Sequence, residues 1–336
     1  MNLRLLLVLI TLLSYVAIGV TWFITNPTEA ITEKEPPFFY TLAPQDIRTI
    51  QIMTGDLSTS WSLRPDENRW YFDDRENIPA ALFRWGGITQ LLGGPRTQRV
   101  LAQDIDDLTK YGLDNPSTEF AVTLRDESVV RLVLGNLTPD GGNNYARVVG
   151  FPQLVLVDAT WGAVLGRLVT EPPLPEWYYE LTGQAREIIM FDDNEVVRAY
   201  GYDRDAKTWA ICDLPLLEDP CTGVQSADYD LLETEIAHFG IPAINGAVVL
   251  NLENDIEFET FGTTVNSPYI AVRVENKTAT NVTQVTRLTM TIGDVTEDGK
   301  SRYAVANETS DVILVDREWA DRVLDLFFGE LLVDNG

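Results

Sequence analysis

The sequence predicts an α+β protein built as two tandem copies of an antiparallel-sheet-plus-helices unit, placed after an N-terminal transmembrane helix. Three observations predict it. The first is an internal repeat: residues 130–168 and 288–326 align at a constant offset of 158 without a gap. Gly135/Gly293, Asp140/Asp298, Tyr145/Tyr303, Asp158/Asp316 and Trp161/Trp319 are among the identical pairs. The second is period-two alternation of apolar residues, as in Phe120, Val122 and Leu124, then Val130, Leu132 and Leu134, which argues for strands with one covered face. The third is Leu5–Ile24, a charge-free apolar run long enough to cross a hydrocarbon core as a helix.

The elements follow in order. Leu5–Ile24 is read as an uncleaved anchor, because Val20, Trp22, Phe23 and Ile24 carry the apolar run past the small residues Ala17-Ile18-Gly19. A cleaved signal segment is the alternative. Arg4 precedes the run, while Glu29 and Glu33 follow it. That bias places the N-terminus in the cytoplasm and the remaining mass outside the cytoplasmic (inner) membrane. Residues 1–25 thus form the anchor. Residues 26–45, with Pro27, Pro36, Pro37 and Pro44, form a spacer. The first unit is read as 46–170. A Pro-rich linker at 171–185 contains Glu171-Pro172-Pro173-Leu174-Pro175, and the second unit is 186–330.

Each unit opens with strand candidates, Ile47–Met53 and Ile188–Phe191. Each then shows a polar turn ending in tryptophan, Asp66–Trp70 and Asp205–Trp209. Helices follow. Pro79 suits a first turn ahead of Leu82, Phe83, Trp85, Leu91 and Leu92. Ser226 suits an N-cap ahead of Tyr229, Leu232, Ile236 and Phe239. Lys110-Tyr111-Gly112-Leu113 and His238-Phe239-Gly240-Ile241 are paired as equivalent helix ends with a glycine cap. On that pairing, unit two carries an insertion near 253–284.

Composition narrows function. The chain has 336 residues, 25 Lys+Arg against 51 Asp+Glu, and a net charge of −26. Such a surface repels nucleic acid. The two cysteines, Cys212 and Cys221, are an even, close pair in a loop-like stretch, read as a disulfide in an oxidising compartment.

Several residues invite chemistry, and each has a plainer reading. Asp298-Gly299-Lys300-Ser301 lacks the upstream glycine of a phosphate loop and reads as a hairpin turn. His238, the one histidine, stands in the last turn of a predicted helix, where a cation favours the helix dipole. Asp158 and Asp316 read as N-caps. The acidic groups Asp104/Asp106/Asp107, Asp192/Asp193 and Asp203/Asp205 fit no calcium loop of the EF-hand kind. No catalytic residue, cofactor site or metal site is assigned. Arg147 differs between copies, being Val305 in the second. It is the candidate contact for an anionic partner group, with a cross-strand ion pair as the alternative.

Tyr111-Gly112-Leu113-Asp114-Asn115-Pro116, with Gly135, Asp140-Gly141 and Tyr145-Ala146-Arg147, resembles the bacterial family called domain of unknown function 4340. The resemblance covers roughly residues 46–170. It implies an extracytoplasmic α+β region behind a membrane anchor, often encoded beside gliding-motility-type ABC transport components, and no reaction. The expectation is a non-enzymatic accessory or interaction protein of an envelope ABC-type transport complex, its partners being the membrane and transporter subunits. The alternative is a binding module for an envelope carbohydrate or peptide, with the cleft between copies as its site and Trp and Tyr side chains as platforms.

Overall fold

A computed structural model describes residues 39–216, 221, 223–252, 255–277 and 281–334. The predicted anchor, most of the spacer and residues 278–280 of the expected polar loop lie outside the described residues. Among the described residues, no helix is long and apolar enough to cross a membrane.

Two antiparallel sheets carry the fold. The first contains β1 (Ile47–Thr54), β2 (Leu57–Arg64), β3 (Arg69–Phe72), β4 (Thr97–Ala102), β5 (Thr118–Leu124), β6 (Val129–Leu137), β7 (Asn143–Val148) and β8 (Leu154–Asp158). Its order is β3-β2-β1-β5-β6-β7-β8-β4. The second contains β9 (Gln184–Asp192), β10 (Glu195–Asp203), β11 (Thr208–Cys212), β12 (Gly223–Ser226), β13 (Ile244–Val249), β14 (Tyr269–Lys277), β15 (Thr283–Val295), β16 (Ser301–Ala306) and β17 (Val312–Asp316). Its order is β12-β11-β10-β9-β14-β15-β16-β17-β13. With β12 set aside, the two orders match strand for strand.

The match extends to register. β4 pairs with β8 through Thr97↔Val157 and Arg99↔Leu156, and β13 with β17 through Ile244↔Val315 and Gly246↔Leu314. Each pair shifts register at the same two places. The duplication therefore covers whole units, well beyond the stretch in which identity is visible.

Alternation sets the core. Phe120, Val122, Leu132, Leu134 and Ala146 are buried on one face of the first sheet, and Ile270, Val272, Met290, Ile292 and Ala304 on the same face of the second. These faces are covered by helices: α1 (Leu82–Trp85), α2 (Ile88–Gly93) and α3 (Ala159–Thr170) in unit one; α4 (Tyr229–Gly240) and α6 (Arg317–Phe328) in unit two. A short helix α5 (Asp255–Glu259) precedes β14. Most of the buried apolar residues of both units belong to one continuous core.

The tryptophans of the repeat lock helix to helix. Trp161 Nε1 donates to the Leu91 carbonyl at 2.9 Å, and Trp319 Nε1 donates to the His238 carbonyl at 3.0 Å. An indole N–H removed from water is stabilised by such an acceptor. The backbone gives the same correspondence: Leu42 N–H donates to Gly93 O at 2.5 Å and Leu181 N–H to Gly240 O at 2.8 Å.

Those bonds correct the predicted pairing of helix ends. Gly240 corresponds to Gly93, not to Gly112. It lies inside α4, whereas Gly112 is left-handed at φ 67°. The true counterpart of Tyr111-Gly112 is Phe261-Gly262, with Gly262 at φ 65°. Tyr111 packs on Tyr145 and Phe261 on Tyr303, each with ring centroids 5.0 Å apart. In both units a glycine of the long strand lies under that turn. A Cβ on Gly135 would fall on the Tyr111 carbonyl oxygen, and one on Gly293 on the Phe261 carbonyl oxygen.

The predicted insertion near 253–284 is corrected with it. Its described residues hold α5, the turn that carries Gly262, and β14, which is the counterpart of β5. What unit two adds is strand length, since β15 has 13 residues against 9 in β6. Two smaller expectations also change. Pro79 bridges to Tyr71 instead of opening a helix, and Gly87 at φ 83° breaks the helical run into α1 and α2. Ser226 ends β12, and Asp228 caps α4 by accepting from Leu231 N–H at 3.0 Å.

Because the glycine contact admits no side chain, Gly135→Ala and Gly293→Ala should each cost about 1–3 kcal/mol, the usual range for overpacking. Gly141→Ala, with open space around it, should cost only about 1 kcal/mol, from its left-handed backbone. Chemical denaturation of the three variants measures the difference.

Candidate functional site

The first candidate is the outer face of the first sheet. Side chains alternate along a strand, so Ala146 faces the core while Tyr145 and Arg147 face outward. The Tyr111-Gly112 turn folds over this outer face. Leu113, Val133 and Leu154 form a small second core there, flanked by Ile105, Leu108, Tyr111 and Tyr145. Arg147 pairs across the ladder with Val133. Its Nε is buried and has no hydrogen-bond partner, and no ion pair to it is found among the described residues. The cross-strand ion pair is thus replaced by an apolar neighbour.

The second candidate is a cleft of about 430 Å³ between the units. Unit one holds the linker through Ala81 N–H to Pro173 O at 2.8 Å and Arg84 Nη1 to Pro172 O at 3.0 Å, and it reaches unit two through Asn77 Nδ2 to Asn245 O at 3.5 Å. Arg69, Phe83, Asn251, Glu308 and Asp311 line the cleft. Asp311 accepts from Trp177 Nε1 at 2.7 Å and from Asn251 N–H at 2.9 Å. The expected Trp and Tyr platforms are absent from its lining. Among the described residues every tryptophan is buried or half-buried, with Trp61, Trp177 and Trp209 wholly enclosed. These rings supply core volume. The cleft's aromatic residue is Phe83, 70% exposed.

A third feature is an apolar cavity of about 510 Å³ at one end of the first sheet, lined by Phe39, Tyr40, Val130, Val148 and Phe151. The Tyr40 hydroxyl is buried without a hydrogen-bond partner, and burial pushes its pKa far above the ordinary phenol value.

The other sequence candidates are engaged in structure. His238 Nε2 lies 3.2 Å from the Trp319 carbonyl, and its ring stacks on Trp319. Its counterpart is Leu91, not Lys110. Lys110 instead lies over the Tyr111 ring. Asp158 caps α3 by accepting from Thr160 N–H at 2.7 Å, and Asp316 caps α6 by accepting from Trp319 N–H at 3.0 Å. Asp298-Gly299 is the β15–β16 hairpin turn, built like Asp140-Gly141 between β6 and β7. Asp203 accepts from the Asp205 and Ala206 N–H groups. Among the described residues no group of three His, Cys, Asp or Glu side chains is placed to hold a metal ion. Cys212 and Cys221 are joined by a disulfide, which ties the end of β11 to the residues before β12. Buried Glu187 accepts from Cys221 N–H at 2.9 Å.

One feature escaped sequence reasoning. β14 and β15 project beyond their neighbours. β9 pairs with β14 only as far as Glu275, and β16 pairs with β15 only from Met290. The outer edge of β15 over Thr283–Arg287 therefore meets no further strand among the described residues. Val285 on this arm is 49% exposed. The signal was available: Gly293 repeats Gly135, so a second Tyr-Gly-like turn had to lie upstream, and finding Phe261-Gly262 there leaves the extra residues to the hairpin.

A duplicated antiparallel scaffold with a glycine-seated turn on its outer face defines the class. Residues 70–167 match the family model described as Domain of unknown function (DUF4340). The match lies within unit one and includes the Tyr111–Pro116 motif, Gly135 and Arg147. No curated protein and no solved structure matches the chain.

The two hairpin turns give a pH test. The Asp140 carboxyl is held below the ordinary 3.8 by hydrogen bonds from the Thr138 hydroxyl and Gly142 N–H, and that of Asp298 by bonds from the Thr296 hydroxyl and Lys300 N–H. A depressed carboxylate pKa contributes stability that is present above the unfolded value and is lost as pH falls through the folded one. An Asp140→Asn/Asp298→Asn double variant should lose stability less steeply than the parent below pH 3.8, as read by urea melts across that range.

Proposed function

We propose that this chain is a non-enzymatic, membrane-anchored extracytoplasmic accessory protein that assembles with an envelope ABC-type transport complex. The observation that carries the reading is the projecting β14–β15 hairpin. A strand edge with unpaired N–H and C=O groups is a template for pairing with another chain. The hairpin arm is long in unit two and short in unit one, so the shared architecture does not require it. The apolar segment Leu5–Ile24 would fix the chain to the inner membrane with its N-terminus in the cytoplasm. Arg147 offers a second contact, since an anionic partner group would satisfy its guanidinium. The residues that invite catalysis cap helices, close turns or pack in the core, which also favours an assembly role.

A binding module for an envelope carbohydrate or peptide is the second reading. The 430 Å³ cleft favours it, with Phe83 as stacking surface and Arg69, Asn251 and Glu308 as polar partners.

Cross-linking the full chain in native membranes, with a photoreactive residue at Val285, should trap permease or ATPase subunits at fixed stoichiometry. A Val285→Asp/Arg147→Glu variant should lose most of that yield while melting like the parent. Recovery of the protein alone, together with a saturable thermal shift on adding envelope oligosaccharide, would shift the assignment to the cleft.

A further inference from the structure

The two units differ at one end of their sheets, and each serves as a control for the other. The bonds from Leu42 to Gly93 and from Leu181 to Gly240 make the segments before β1 and β9 equivalent. Counting back from those leucines, Pro36-Pro37-Phe38-Phe39-Tyr40 stands opposite Pro175-Glu176-Trp177-Tyr178-Tyr179. Burial raises the pKa of both Tyr40 and Tyr179, as expected of equivalent positions. Trp177 is wholly enclosed at this end of unit two, with its indole N–H on Asp311. Asp311 corresponds to Gln153 in unit one at the constant offset of the repeat, and Gln153 lines the 510 Å³ apolar cavity. The wall position Ala306 is fully buried in unit two, whereas its equivalent Val148 is only half-buried in unit one; Ile313 and its equivalent Val155 are buried in both.

We infer that the apolar cavity of unit one is the seat of Phe38, the residue opposite Trp177. The chemistry is complementary in each case. A tryptophan brings an N–H and finds the Asp311 carboxylate, while a phenylalanine brings no donor and finds Gln153 in place of the carboxylate. Reach is no obstacle, because Phe39 already lines the cavity and adjacent Cα atoms are about 3.8 Å apart. A second copy of the chain is a poor occupant, since a net charge of −26 makes copies repel. Seating Phe38 shortens the tether. On the anchored reading of the chain, only residues 25–37 would remain between the membrane segment and the first unit. That stretch spans roughly 45 Å at most when fully extended. The docking of Phe38 itself does not depend on that reading.

A benzoylphenylalanine at position 38 of the full chain, purified in mild detergent, tests this directly. Label mapped by mass spectrometry to the peptides bearing Val100, Val130, Val148 or Phe151 is the expected result. Label on other surfaces, or none, overturns the proposal. In parallel, Phe38→Ala should lower the melting temperature by several degrees and Phe38→Trp should restore it, as unit two implies. A Phe38→Ala protein that melts like the parent would overturn the proposal. So would a parent whose position 38 leaves the cavity unlabelled and whose Tm rises saturably with palmitate. The intact mass of the same preparation reports separately on whether the apolar segment is retained.

Discussion

In each unit a loop crosses the outer face of the sheet, and its carbonyl comes down onto a strand position that only glycine can occupy. Gly135 takes the Tyr111 carbonyl and Gly293 that of Phe261. Much else follows from this contact. It sets the left-handed glycine of the turn, brings Tyr111 onto Tyr145 and Phe261 onto Tyr303, and fixes where the strand before the long hairpin must begin. On the opposite face, the tryptophan in the first turn of the last helix ties that helix to the preceding one. The sheet is thereby held from both sides, identically in the two copies.

Against this shared frame the differences acquire meaning. Unit two lengthens one hairpin, adds β12 with its disulfide, and closes the end of its sheet with Trp177. Unit one keeps Arg147 on its outer face and leaves an apolar cavity where unit two is filled. Neither set is needed to build the common sheet, because the other copy has the same strand order without it. The proposed partner contacts and the proposed seat of Phe38 both fall in these places. The paired aspartates, the lone histidine and the tryptophans go to architecture.

The β meander of each unit was legible because period-two alternation and turn residues are local signals. Phe120–Val157 reads as strands, and Asp158 and Asp316 read as caps, from a few neighbouring residues. What failed was non-local. Nothing near Ile47 indicates that β1 pairs with β5 in the middle of the sheet, some 70 residues on by sequence numbering. The helix end at Phe239-Gly240 mimicked Tyr111-Gly112 because an aromatic-glycine pair ends an α-helix in one case, while in the other a left-handed glycine caps the short 3-10 helix Thr109–Tyr111. That single mispairing produced the supposed insertion. Only contacts between distant residues, such as Gly293 with Phe261, separate the two. The repeat of Gly135 at Gly293 assigns extra residues to the β14–β15 hairpin, but that its edge is free depends on which strands stop short, which is again non-local.

Amide hydrogen exchange on the full-length protein tests most directly the claim that two equivalent units carry one unshared, unpaired edge. The account predicts matched protection at equivalent positions of β1/β9, β5/β14 and β6/β15 where the strands are flanked, with rapid exchange on the outer edge of Thr283–Arg287. If the proposed accessory role holds, that edge becomes protected in protein recovered together with a bound partner. Strong protection of Thr283–Arg287 in the isolated chain, or unmatched protection between the units, would contradict it.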